Sequence, residues 1–155
     1  MRRRRSQSGL TLVELIVAFT ILLILTSMAV PLARARVRGE RERELRRVLL
    51  EIRTAIDKYK DMADQGMLAP GKAEQSGYPE NLDVLVTGVK MTGQVEKKAR
   101  FLRRIPKDPM TNSTDWGLRS MQDDPTSTGW GGQNVFDVYT KNMEKAADGT
   151  SYSEW

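Results

Sequence analysis

Nineteen consecutive residues, 15–33, carry no charged side chain, and this run constrains the fold more than any other feature of the chain. It contains Ile16, Val17, Phe19, Ile21, Leu22, Leu23, Ile24, Leu25, Met28 and Val30. A helix needs about 20 apolar residues to cross the hydrocarbon core of a bilayer. A helix is also one of the few structures that satisfies its own backbone there. The run therefore predicts a membrane-spanning helix. Because the mean hydropathy of the whole chain is -0.49, a soluble part must follow it. An ordinary secretory signal peptide would share the arginine-rich start and the small-x-small pattern at Ser27-Met28-Ala29. Its apolar region, however, is usually only about 7–15 residues long.

At 155 residues the chain has room for one modest domain beside the span. The net charge of +5 would ordinarily point to an anionic partner. Four of those charges are Arg2, Arg3, Arg4 and Arg5, so a chain without that leader carries +1, and no nucleic-acid partner is expected. Cysteine and histidine are absent. Their absence excludes disulfides, zinc sites built on those ligands, cysteine nucleophiles and histidine-based acid–base catalysis.

Glu14 stands at the entry to the apolar run. A carboxylate near a bilayer centre costs roughly 2.5–3.5 kcal/mol on insertion scales, and less near an interface, so it calls for a cationic partner. No Lys or Arg follows within a helical turn, and the upstream arginines lie beyond Gly9. A free α-amino group on another chain could supply the charge. On the far side of the span Arg34, Arg36 and Arg38 balance the leading arginines, so the positive-inside rule alone leaves the orientation open.

Ser8-Gly9-Leu10-Thr11-Leu12-Val13-Glu14, behind basic residues and ahead of the apolar run, resembles the processing motif of type IV pilins and type II secretion pseudopilins. The resemblance implies cleavage by a prepilin peptidase between Gly9 and Leu10, and methylation of Leu10. It also implies pairing of Glu14 with the N-terminal amine of a neighbouring subunit during assembly. It places the N-terminus in the cytoplasm and the rest outside a bacterial inner membrane crossed once. The family usually has Phe where this chain has Leu10, and often Gly where it has Leu23; Pro31 matches a common proline. Proline removes an N–H and clashes with the preceding turn, so a kink, or a local loosening that lets a filament stretch, is expected just upstream of Pro31.

Beyond the span, Leu45, Val48, Leu49, Ile52, Ile56 and Tyr59 recur at steps of three and four, one face of a helix. The helix should stop near Asp64, with Gly66 as its end signal. A helix from Thr11 to Asp64 would be about 80 Å long. Its charged face, with Glu42 and Arg46 at favourable one-turn spacing, suits solvation or pairing between subunits. After Gly66 the chain turns to loops. Tyr78-Pro79 with Leu82, Val84, Leu85 and Val86 suggests a short helix packed on the long one, and 134–140 is the best strand candidate. The expected organisation is a leader (1–9), a spanning and assembly segment (10–33), an amphipathic half-helix (34–64) and a small globular part (65–155). The fold class is α+β: a long N-terminal helix against a small domain with a short antiparallel sheet, pilin-like.

Tyr78-Pro79, Phe101-Leu102-Arg103-Arg104-Ile105-Pro106-Lys107-Asp108-Pro109, Trp116 and Phe136-Asp137-Val138-Tyr139 are similar to the major pseudopilin of type II secretion. That likeness implies a homopolymer forming a periplasmic pseudopilus, with an inner-membrane assembly platform and minor pseudopilins as partners. The alternative is the major pilin of a surface type IV pilus for adhesion, motility or DNA uptake; many of those carry a C-terminal disulfide, which this chain cannot form. The likeness also implies a possible Ca2+ site in 141–155 on Asp148, Ser151 and Glu154, against the plainer reading of Asp148-Gly149 as a turn. Calcium takes six to eight oxygen ligands. A contrasting class, an enzyme or ligand-binding domain on an uncleaved anchor, finds no catalytic constellation here.

Overall fold

A computed structural model describes residues 11–71 and 75–155. Its first element is the helix α1 (Leu12–Asp64), 53 residues with Pro31 inside. Two compact units are present, one ending at Glu40 and the other Arg41–Trp155. Residues 41–64 of α1, most of the amphipathic half, thus belong to the same compact unit as the residues after them.

In that second unit the expected stripe is the core. Leu45, Val48, Leu49, Ile52, Ile56 and Tyr59 are all buried. They join Leu82, Leu85, Leu102, Trp116, Val135, Val138 and Tyr152 in one cluster. Burial of apolar area at roughly 25 cal/mol per Å² makes this face the main source of the unit's stability. The helix ends where glycine was expected to end it. Gly66 adopts φ 68°, its N–H donates to the Ala63 carbonyl at 2.9 Å, and the Met67 N–H donates to the Met62 carbonyl at 3.0 Å. This double closure is the Schellman motif, which needs a residue at ease in the left-handed region.

The short helix α2 (Leu82–Thr87) starts at Asn81, whose side chain accepts the Val84 N–H at 3.1 Å. It buries Leu82 and Leu85 in the core. The β-structure departs from a single sheet. Strands β1 (Val89–Met91) and β2 (Gln94–Ala99) form one antiparallel pair, and β3 (Gly117–Arg119) and β4 (Asp137–Tyr139) form another. Residues 134–140 contribute three strand residues rather than seven. Asn134 turns out of the ladder, its side chain accepting from the Met121 N–H. Strand β2 was not anticipated, since its Gln-Val-Glu-Lys-Lys-Ala sequence has no alternating apolar pattern.

Gly117 makes β3 and β4 fit. A Cβ there would stand 2.2 Å from the Tyr139 ring, directly across the ladder. The buried Asp108 ties this pair to the loop before it. Its carboxylate accepts from the Met110 N–H at 2.8 Å, from the Thr111 hydroxyl at 3.1 Å and from the buried Thr140 hydroxyl. Three donors compensate the burial of this carboxylate, which has no ion pair among the described residues.

Candidate functional site

Gly9 and Leu10, the expected cleavage pair, lie outside the described residues. Immediately after them, Thr11 and Glu14 make a reciprocal contact at the start of α1. The Thr11 hydroxyl accepts the Glu14 N–H at 3.3 Å, and the Glu14 carboxylate accepts the Thr11 N–H at 3.4 Å. This is a capping box, in which a Thr and a Glu three residues on satisfy helix-start N–H groups that lack intrahelical partners. Sequence reading gave Glu14 only an intermolecular partner; the Thr-x-x-Glu spacing was the signal for this intramolecular one.

The described part of the span presents its side chains outward. Leu12, Val13, Leu15, Ile16, Phe19, Leu23 and Leu25 are exposed, as are Val30 and Leu32 around Pro31. Polar side chains within it are silenced by the helix. The Thr20 hydroxyl donates to the Ile16 carbonyl at 2.8 Å, Thr26 to Leu22 at 2.7 Å and Ser27 to Ile24 at 2.8 Å. Each donor is thereby satisfied within the helix itself, as the core of a bilayer would require. By length and composition α1 is able to cross a membrane. The helical assignment continues on both sides of Pro31.

On the second unit, the face of α1 expected to be solvated instead grips the last residues. Arg53 donates to Asp137 Oδ1 at 2.7 Å, and also to the Trp155 and Val138 backbone oxygens at 2.6 and 3.2 Å. The Glu42 carboxylate accepts the Tyr152 hydroxyl at 2.6 Å, and the Arg46 guanidinium lies 3.7 Å from the Trp155 ring centre. Arg119, 5% exposed, donates to the Ser127 and Ser153 carbonyls at 2.9 Å each and to Asp137 at 3.4 Å, while stacking on Tyr139. One carboxylate, Asp137, therefore joins α1 to β3 and β4. Burial first, then the nearby Glu80 charge, raises the Tyr59 phenol above its ordinary pKa. The Arg47 guanidinium holds Glu44 below the usual carboxylate range.

The calcium expectation falls on a built turn. Asp148 Oδ1 accepts the Thr150 hydroxyl and N–H, which together hold its carboxyl low, and Gly149 sits at φ 88°. The Ser151 hydroxyl pairs with that of Ser153 at 3.0 Å, within a short 3-10 turn (Tyr152–Glu154) and its cap. Among the described residues no three His, Cys, Asp or Glu side chains group closely enough to hold a metal. Asp148, Ser151 and Glu154 are hard oxygen donors of the right type. Six to eight ligands would still require backbone oxygens and water to complete the shell.

A glycine-bounded basic start, a Thr–Glu capped apolar helix and a small α+β unit with two antiparallel pairs together define a pilin-like protein. Residues 4–30 match the family described as the prokaryotic N-terminal methylation motif. Over 112 residues the chain is 30% identical to the type II secretion system core protein G of Klebsiella michiganensis, covering 69% of this chain and 70% of that one. Over 118 residues it is 31% identical to the protein of the same name from Vibrio cholerae, covering 72% and 71%. No solved structure matches the chain significantly. The chain belongs to the family of the type II secretion system core protein G.

Proposed function

We propose that this chain is the major subunit of a type II secretion pseudopilus. It is stored in the inner membrane by the first half of α1, with the unit Arg41–Trp155 on the periplasmic side. A prepilin peptidase cuts between Gly9 and Leu10 and methylates Leu10. Copies then polymerise on an inner-membrane platform, with minor pseudopilins as further partners. The reading assigns the chain no catalysis.

The observation that carries it is the placement of Glu14 in the first turn of a helix whose apolar side chains are exposed. Lipid or a neighbouring helix must cover that surface. A buried Glu14 carboxylate gains most when a new α-amino group neutralises it. In the stored monomer the Thr11 contacts shield it; in the filament the neighbour's amine takes over. Pro31 then marks where the packed helix bends or loosens as the filament forms. A surface pilus is the contrasting outcome. Deleting the gene and following both secretion and surface fibres separates the two: the pseudopilus reading requires secretion to fail.

Calcium binding by Asp148, Ser151 and Glu154 is a subsidiary proposal, supported by the oxygen chemistry of the three. A calcium-dependent rise in melting temperature of the full chain that vanishes in Asp148→Ala supports it, and no rise overturns it.

A further inference from the structure

The unit Arg41–Trp155 carries a groove of about 1130 Å³ between α1 and residues 101–107. Its lining holds five cationic side chains and two carboxylates. One of those carboxylates, Glu44, is already bound by Arg47. Arg103, Arg104 and Lys107 are exposed and have no carboxylate partner among the described residues. Leu50, 66% exposed, adds an uncovered apolar side chain to the same groove.

The complement lies on the same chain. Between Met121 and Gly132 there is no Lys or Arg, but Asp123 and Asp124 stand together. Met121 and Trp130, 57% and 42% exposed, flank them. The loop is rigidly built. Asp123 Oδ2 accepts the Ser120 and Gly131 N–H groups, Asp124 Oδ1 accepts the Thr126 N–H and hydroxyl, and the Tyr139 hydroxyl donates to the Thr128 carbonyl. A preformed loop loses little entropy on docking. Those N–H bonds also keep both aspartates ionised well below neutral pH.

Resting on the filament reading above, we infer that the loop 121–131 of one copy docks in the groove of the next, with Asp124 among Arg103, Arg104 and Lys107, and Trp130 against Leu50. The cationic side chains of the groove and the clamp that holds the loop lie on different flanks of α1. Arg53, which holds Asp137 and through it Arg119 and the loop, is about 120–160° around α1 from the groove residues Arg47, Glu51 and Lys58, and about 60° from Leu50, at about 100° per residue. A surface on one flank that fits a different surface on the other is heterologous, and a repeated contact of that kind grows a filament rather than a dimer.

The chain has no cysteine, so engineered pairs report cleanly. The full chain with Leu50→Cys and Trp130→Cys, oxidised in cells that assemble it, should give a disulfide-linked ladder. Either single variant, or Leu50→Cys with Met143→Cys, should not. Asp124→Lys should lower polymer yield by up to about fivefold per contact, the scale of an exposed ion pair, and Arg104→Glu should restore it. Polymer recovered without the ladder overturns the docking and leaves the filament reading intact. Failure of the unmodified chain to polymerise overturns both. Anionic vesicles that bind the unmodified chain but not Arg104→Glu, with the ladder absent, would assign the groove to a membrane surface and overturn the inference.

Discussion

Thr11 and Glu14 hold each other at the start of α1, the threonine hydroxyl taking the glutamate's N–H and the glutamate carboxylate taking the threonine's. The carboxylate to which the proposed assembly step assigns a neighbour's amine is thus given a weak, local partner in the single chain. With heavy-atom distances of 3.3 to 3.4 Å, these bonds are longer than the usual 2.9–3.0 Å, so they are readily exchanged for a charged donor.

Thr11→Ala removes the cap but leaves the carboxylate. It should cost the helix start about 1 kcal/mol and raise amide exchange in residues 12–15. Polymer yield should stay within a fewfold of the parent. Loss of polymer equal to that of a Glu14 variant would show that the cap, not the charge, is what assembly needs.

Arg53→Ala strips Asp137, Val138 and Trp155 of one shared donor. The pair is partly exposed, which reduces the expected cost to about 1–2 kcal/mol. Thermal unfolding of the detergent-solubilised chain should fall by roughly 5–10 °C. Because Arg119 binds the same carboxylate, a double-mutant cycle of Arg53→Ala with Asp137→Asn should be clearly non-additive. Additivity would mean the bridge contributes nothing.

Gly117→Ala drives a methyl into the Tyr139 ring. Overpacking of this kind costs about 1–3 kcal/mol, and the companion Tyr139→Leu should recover part of it. An unchanged melting temperature would show that β3 and β4 have room to part.

Asp123 is held below its ordinary value of 3.8 chiefly by the Ser120 N–H, then by that of Gly131. A carboxyl depressed on folding stabilises the folded loop above its unfolded value, and that stability is lost as pH falls through the folded one. Fluorescence of Trp130, whose indole N–H donates to the Asn134 carbonyl at 2.8 Å, should therefore change only below pH 3.8. In Asp123→Asn that transition should disappear. A midpoint above 3.8 in the parent chain would contradict the hydrogen-bonded loop.

The long helix was legible because periodicity and glycine punctuation are local. The stripe from Leu45 to Tyr59 became core, and Gly66 became the end cap. The leucines of α2 were readable for the same reason, whereas its Asn81 cap emerged only from the structure. What escaped was non-local. Nothing near Arg53 in sequence announces Asp137, 84 residues away, so an apparently solvated arginine was in fact the clamp on the chain's last strand and last residue. Strand β2 escaped because a polar strand lacks the alternation that marks a buried face. At the candidate site, Glu14 stood out as an acid against an apolar run, while its contact with Thr11 was hidden in a spacing that also reads as an ordinary helix start.

In the proposed mechanism Glu14 joins copies without being needed for processing. The most direct test is Glu14→Ala in the full chain, with the mature N-terminus read by mass spectrometry and polymer measured by sedimentation in the same cells. A processed chain beginning at methylated Leu10 and a loss of polymer are expected. Parental polymer yield from that processed variant would contradict the mechanism.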